Sequence, residues 1–404
     1  MTASLPLFAA VPLAARDPIL GLNEAYLADT NPKKVNLSIG VYYDADGKIP
    51  VLSCVQKAMQ AVMGQNAPRT YQPIEGPAVY TQAVQKLLLG AEHPAIREGR
   101  VATAQTLAGT GALKTGFDLL FDISPQAKAW VSNPTWDNHR AILGDAGFHV
   151  ETYAYYDAAT GGFDLAGMLR DLERAQPGDL VVLHACCHNP TGVDPSAEDW
   201  ERIIDVIEQR QLVPFIDIAY QGFGDGLDED GKIIRRFAER NLPVFIANSF
   251  SKTFSLYGER IGALTVLTAN ADEAKRVLSQ MKRVIRSSYS TPPIFGAALV
   301  SAVLNQPDLR ALWEEELASM RNRIREMRLM LRERLSARVP DRNYDYIVKQ
   351  RGMFSYSGLS AAQAQKLRED CAIYIVESGR ICVAGLNTSN IDYVAEAMAA
   401  VQKG

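Results

Sequence analysis

A series of short apolar runs in the middle of the chain limits its architecture more than any other feature. AWVSNP (129–134), LVVLHACC (180–187), VPFIDIA (213–219), PVFIANS (243–249) and GALTVLT (262–268) all lack the polar alternation of a half-exposed strand. Uninterrupted apolar strands are those covered on both faces. Helical segments lie between them. At 196–211 apolar residues recur at helical spacing behind Pro195 and Ser196, with Glu198 and Asp199 in the first turn, where the helix dipole favours acids. Strand, helix, strand in succession predicts an α/β fold with a large, doubly wound, mostly parallel sheet. No repeat of about 20–50 residues is visible, which argues against solenoids and propellers.

The last third reads differently. Residues 309–338 form one long charged helical stretch, acidic at 314–316 and rich in arginine later, with an apolar stripe through Leu317, Met320, Ile324 and Met327. Such charges read as a solvated face. Beyond it, 346–350, 352–357 and 380–383 look like strands. A smaller α+β unit is expected from 16–47 with 311–404, beside a large unit over 48–310 and an N-terminal arm over 1–15. The apolar stretch at 5–15 has no Lys or Arg before it and is interrupted by Pro6 and Pro12, so it reads as an arm rather than a signal core.

Composition narrows the function. With 404 residues, 47% of them hydrophobic and 22% charged, the chain has a globular composition and material for a substantial core. A formal net charge of −4 supplies no electrostatic reason to expect nucleic acid or an anionic membrane surface. No apolar run approaches the ~18 residues of a membrane span. Cys54, Cys186, Cys187, Cys371 and Cys382 are irregularly spaced and odd in number, which favours a reducing cytoplasm over a disulfide framework.

Ligands of open parallel sheets collect beyond the carboxyl ends of the strands. There the sequence places Asn133-Pro134-Thr135-Trp136, then His188-Asn189-Pro190-Thr191-Gly192, then Asp217 and Tyr220, then Ser249, Ser251 and Lys252. An earlier loop, 108–112, opens a helical segment at 113–120. Its Gly109-Thr110-Gly111 lacks the G-x-G-x-x-G spacing of dinucleotide sites but suits an anion at a helix start. Ser249, Ser251 and Arg260 can hold a phosphate beside a lysine amine that forms an imine. A carboxylate such as Asp217 can pair with a ring nitrogen, which is what pyridoxal phosphate needs to act as an electron sink. His184, Cys186, Cys187 and His188 resemble metal ligands by type, but adjacent strand residues point to opposite faces, so no metal site is expected. No G-x-S-x-G hydrolase motif occurs.

With these residues in view the chain resembles the class I aminotransferases of the aspartate and aromatic amino acid group, pyridoxal-phosphate enzymes of fold type I. The resemblance runs from Asp17-Pro18-Ile19-Leu20 to Ala384-Gly385-Leu386. It is carried by Asn36-Leu37-Ser38-Ile39-Gly40-Val41-Tyr42, Cys187-His188-Asn189-Pro190-Thr191-Gly192, and Ser249-Phe250-Ser251-Lys252 followed by Gly258-Glu259-Arg260. Tyr42-Tyr43, Phe254-Ser255-Leu256-Tyr257 and Met353-Phe354-Ser355-Tyr356 are most similar to bacterial tyrosine (aromatic) aminotransferases.

The resemblance implies that Lys252 forms the imine with the cofactor and shuttles the proton. Asp217 would pair with the pyridine nitrogen, backed by His139. Trp136 would stack on the ring, while Asn189 and Tyr220 would bond its phenolic oxygen. Gly109, Thr110, Ser249, Ser251 and Arg260 would hold the phosphate, joined by Tyr71 from a second subunit of a homodimer. Arg380 would take the substrate α-carboxylate, and Arg286 of the other subunit the distal one, with Ile39 and Gly40 on the substrate side. The Asn133-Pro134 and Asn189-Pro190 bonds would be cis. Ala108 stands where relatives often have glycine, and Lys114 has no assigned role. The expected reaction is a ping-pong transamination of tyrosine, phenylalanine and aspartate with 2-oxoglutarate as acceptor. An aspartate aminotransferase with little aromatic activity is the alternative. A β-lyase or decarboxylase on the same cofactor, or a non-catalytic effector sensor, are the competing classes.

Overall fold

The computed structural model describes Phe8, residues 11–14 and residues 16–403, so the expected arm over 1–15 falls mostly outside the described residues. Its centre is a seven-stranded sheet. In spatial order the strands are Val101–Leu107, Ile261–Leu267, Val244–Ser249, Val213–Ile218, Leu180–His184, Lys128–Asn133 and His149–Ala154. Ile261–Leu267 is antiparallel to both neighbours, and every other pairing is parallel. The expected doubly wound sheet is therefore present, with one reversed strand.

Alternate residues leave by opposite faces, and both faces are covered. Val181 and Leu183 join Ile216, Ile218 and Ile246 in one buried cluster. Leu180 and Val182 join Phe215, Ala247 and Leu264 in another. Helix Ala108–Ile123 lies on the second face, where Phe117 meets Phe215 at 4.6 Å between ring centroids. The long helix Pro307–Arg338 buries Leu317, Met320, Ile324 and Met327, the stripe read from the sequence. It also supports a loop: fully buried Trp313 stacks on Phe254 and donates its indole N–H to the Thr253 carbonyl at 2.7 Å. Lys252 is thereby held from behind by a core helix.

Among the described residues, three two-stranded sheets lie outside the large one, one of them the ribbon Tyr156–Asp157 with Gly162–Phe163. Val35–Asn36 runs parallel to Ile373–Tyr374, and Phe354–Tyr356 runs antiparallel to Arg380–Cys382. Several expectations need correction. Residues 346–350 are not a strand; Tyr346–Lys349 is one helical turn that buries Ile347, on the heels of buried Tyr344. The strand at 180–187 stops at His184, because Cys187 has a left-handed φ of 53°. The helix expected from 113 begins at Ala108, so the glycine loop is its first turn. Val101–Leu107 was not recognised because its buried polar residues break the apolar pattern. They are satisfied inside the fold: Thr103 shares a hydroxyl hydrogen bond with Thr265 at 3.0 Å, and the Gln105 amide donates to the Pro293 carbonyl at 2.7 Å.

The reversed strand matters because its first end, and not its last, reaches the edge where the parallel strands finish. It thus delivers Arg260 to that edge. Ala108 donates its N–H to the Arg260 carbonyl at 3.1 Å, and both residues are left-handed, at φ 57° and 52°. Gly262 permits this closeness: a Cβ there would lie 2.5 Å from the Asn248 carbonyl oxygen and 2.6 Å from the Ala108 carbonyl carbon. Gly262→Ala is expected to lower stability by about 1–3 kcal/mol, as overpacked cores do. Chemical denaturation measures this, and an unchanged midpoint would mean that the strands separate freely.

Candidate active site

Strand ends and small-sheet residues meet around a cavity of about 600 Å³. Its lining includes Gly40, Gly109, Thr110, Trp136, Asn189, Asp217, Tyr220, Ser249, Ser251, Lys252, Arg260 and Arg380, drawn from positions far apart in the chain. Both Asn133-Pro134 and Asn189-Pro190 are cis, as the resemblance implied.

At the back wall sits Asp217, near the end of its strand and buried. His139, itself fully buried, donates from Nε2 to Asp217 Oδ2 at 2.9 Å, and its Nδ1 shares a hydrogen bond with Thr135 Oγ1 at 2.9 Å. Burial pushes the Asp217 carboxyl up, but the His139 hydrogen bond and the charge of Lys252 oppose it, and the carboxyl lies below the usual range. The carboxylate thus stays ionised with one oxygen committed to His139.

Lys252 faces it across the cavity. Its Nζ lies 5.2 Å from the Tyr220 ring centroid. Burial, together with the charges of Arg260 and Arg380, pulls its ammonium below the ordinary lysine range against the opposing pull of Asp217. A lowered lysine presents more free amine at neutral pH, as nucleophilic and general-base lysines require. Burial pushes the Tyr220 phenol well up, with Arg380 opposing, so it remains a hydrogen-bond donor.

One end of the cavity is an anion cradle. Gly109 and Thr110 lie in the first turn of a 16-residue helix, where N–H groups lack intrahelical partners. Ser249 and Ser251 approach from the neighbouring strand end, Ser251 donating its N–H to Ser249 Oγ at 3.3 Å. Arg260 extends to Ser251 Oγ at 3.5 Å and donates to the Tyr257 carbonyl at 2.8 Å. Ala108, which opens this turn, has a left-handed φ that glycine adopts at less cost. Lys114 pairs with Asp118 one turn along the same helix and does not line the cavity.

The opposite end holds Arg380. Buried without a carboxylate partner among the described residues, it donates to the Ser38 carbonyl and, at 3.3 Å, to Asn189 Oδ1. Its Nε has no partner, and burial lowers its pKa. Gly40 lines the cavity beside it; the half-buried Ile39 is not among the lining residues. Tyr71 (88% exposed) and Arg286, which donates to Ser290 Oγ, lie outside this chain's cavity.

Sequence reasoning gave no role to several residues now at the site. Tyr257, Phe354, Asp17, Asp137 and Asn138 all line the cavity. Tyr257 and Phe354 lay inside recognised motifs, so a motif position without an assigned role was the available signal. The strand-face argument about the cysteines also fails: because the strand ends early, Cys186, Cys187 and Asp230 bring their ligand-type atoms within 4.8 Å of one another. A metal is disfavoured there on different grounds. Asp230 is taken up by the N–H groups of Gly222, Gly224 and Asp225, and burial pushes the Cys187 thiol up to about 11.

By residue type His184 reads only as a metal ligand, yet it lines the cavity beside Asp217, and among the described residues neither ring nitrogen has a hydrogen-bond partner. Burial first, and then His139, pulls its pKa down to about 3. An unfolded histidine takes up a proton near pH 6.5, so from there down to pH 3 the unfolded chain binds one proton more than the folded one. Stability therefore falls with falling pH in that window, by up to about 1.4 kcal/mol per pH unit. His184→Gln should flatten the fall in melting temperature of the cofactor-free protein between pH 6 and 4. An unchanged pH profile would contradict this origin.

Comparison with known proteins agrees with this geometry. The family "Aminotransferase class I and II" matches residues 32–398. An aspartate aminotransferase of Pseudomonas aeruginosa is 54% identical over 98% of this chain and 100% of its own length. An aromatic-amino-acid aminotransferase of Escherichia coli is 50% identical over the same shares. Among solved structures, an aromatic-amino-acid aminotransferase from Burkholderia pseudomallei, covalently bound to pyridoxal phosphate, superposes with a TM-score of 0.96 at 57% identity, covering 98% of this chain and 100% of that one. The chain is a member of the class I and II aminotransferase family.

Proposed function

We propose that this aminotransferase uses pyridoxal phosphate to move the amino group of tyrosine, phenylalanine and aspartate onto 2-oxoglutarate. The observation that carries the reading is a lysine amine of lowered pKa facing a buried ionised carboxylate, with an anion cradle at one end of the cavity and an unpaired arginine at the other. These residues fit the cofactor by donor chemistry. Asp217 suits a cationic ring nitrogen, the cradle suits a phosphate, and Lys252 suits an aldehyde.

When bound, pyridoxal phosphate supplies an aldehyde that condenses with amines and a ring that withdraws electrons from the α-carbon. In the proposed mechanism Asp217, oriented by His139, keeps a proton on the ring nitrogen. Trp136 covers the ring, and Asn189 and Tyr220 donate to its phenolic oxygen. Gly109, Thr110, Ser249, Ser251 and Arg260 anchor the phosphate. Arg380 would bind the α-carboxylate beside Gly40, which would fix the α-proton toward Lys252. Lys252 Nζ would take that proton and deliver it to the carbon on the other side of the transferred nitrogen.

The exposure of Tyr71 and Arg286 supports an isologous homodimer in which each completes the partner's cavity. The five unpaired cysteines suit a reducing cytoplasm, and among the described residues no helix is long and apolar enough to cross a membrane. We also retain the division into a large unit over 48–310 and a smaller one over 16–47 with 311–404.

Relatives named for aspartate and for aromatic substrates stand at similar identity, so aspartate aminotransferase with little aromatic activity is the second reading. A panel of amino donors against 2-oxoglutarate separates them. Keto acid as product supports transamination, whereas ammonia or CO2 would indicate a lyase or decarboxylase. Lys252→Ala should lower turnover by at least about 10³-fold and abolish the pH-sensitive absorption of the lysine-bound cofactor; wild-type turnover would overturn the assignment. Arg286→Leu should lower kcat/KM for aspartate and glutamate by about 100-fold or more, and far less for phenylalanine and tyrosine. Equal losses would count against its role.

A further inference from the structure

We infer that Phe354 is a positioning residue: its ring face holds the Arg380 guanidinium in place at the cavity wall, and so sets affinity for the carboxylate common to all substrates. The inference rests on the reading of Arg380 as the α-carboxylate site. Phe354 pairs with Cys382 and Tyr356 with Arg380 across the two-stranded ribbon, so Phe354 and Arg380 are diagonal neighbours on one face. The Arg380 guanidinium carbon lies 4.4 Å from the Phe354 ring centroid.

The ring cannot leave that position easily. A Cβ on Gly40 would come within 2.7 Å of Phe354 Cζ, so the glycine backbone closes one edge. The Tyr220 ring meets it edge-on at 5.8 Å between centroids. The Phe354 carbonyl is clamped as well, accepting a hydrogen bond from the fully buried Arg328 guanidinium, which also donates to the carbonyls of Ile347 and Gly352.

Arg380 needs such a support. Among the described residues its acceptors are the Ser38 carbonyl and Asn189 Oδ1, no carboxylate is paired with it, and its Nε is unsatisfied. The electron-rich ring face is the remaining compensation for a desolvated guanidinium, and such contacts are strongest where water is excluded. It also removes rotational freedom that substrate binding would otherwise have to freeze. Because the ring acts on the α-carboxylate end, its effect is independent of the substrate side chain.

The test uses the cofactor-loaded enzyme and two amine-free acids, maleate and 3-phenylpropionate, with dissociation constants read from the change in cofactor absorbance. Phe354→Leu should weaken both by about 10-fold and by the same factor, while cofactor retention on gel filtration stays at the wild-type level. Replacing Phe354 with pentafluorophenylalanine, which keeps the shape and reverses the polarity of the ring face, should reproduce the loss. Unchanged affinities, a loss confined to one acid, or full affinity in the fluorinated protein would overturn the inference. Arg380→Leu run in parallel separates the two levels: if it leaves both affinities unchanged, the α-carboxylate reading itself fails. If it weakens both while the Phe354 variants do not, only the role of Phe354 falls.

Discussion

Positive charge gathered around one buried carboxylate is the constraint from which the rest of this structure follows. Lys252, Arg260 and Arg380 all line the cavity, while Asp217 is the acid at its back wall. Asp17 and Asp137 also reach the lining, but Asp17 accepts the N–H groups of Ile19 and Leu20, and Asp137 is solvent-exposed at a helix start. Burial is the first cause of the lowered pKa of both Lys252 and Arg380, and for Lys252 the neighbouring charges of Arg260 and Arg380 add to it. A cavity of this kind is stabilised by anions. A phosphate at one end and a carboxylate at the other would each neutralise a local excess.

Strand direction makes the cluster possible. Parallel strands deliver Asn133, His184, Asp217 and Ser249 to one edge of the sheet, but a strand that only ended there could not bring both Ser249 and Arg260 to the same anion. Reversing Ile261–Leu267 places its start beside the ends of its neighbours. The loop from Ser249 to Arg260 then leaves and returns at one edge. Trp313 fixes the middle of that loop from the core side through the Thr253 carbonyl. Strands at both ends and a core helix behind it thus anchor the loop that carries Lys252 and Arg260, and such support is what lets a desolvated site keep its geometry.

The sequence made the strands of the sheet interior legible, because burial on both faces leaves an unmistakable apolar run. It concealed Val101–Leu107, where hydroxyl and amide partners satisfy buried polar residues that only the neighbouring strand and the Pro293 loop reveal. It also concealed the end of the strand at His184, since nothing local announces the left-handed turn at Cys187. The candidate residues at strand ends were legible for a topological reason: ligand crevices lie at those edges. Phe354 and His184 were not, because an aromatic ring and an unpaired imidazole are ordinary core residues until their neighbours are known. Tyr71 and Arg286 were legible through resemblance alone, and no local pattern distinguishes either from a surface side chain.

The two arginines proposed for substrate carboxylates differ in a way that bears on substrate breadth. Arg380 is buried and held by a carbonyl, an amide and a ring face. Arg286 is exposed, on the last turn of helix Ala271–Ser288, and bonded to Ser290 in this chain. A preorganised guanidinium suits the carboxylate that every amino acid carries, because no substrate then requires it to move. A loosely held one suits a group that only some substrates carry, because an uncharged ring entering the same space need not bury an unpaired charge if the side chain can turn to solvent. Accepting both an acid and an aromatic ring in one pocket therefore depends less on the pocket's shape than on the contrast between one fixed and one free cation.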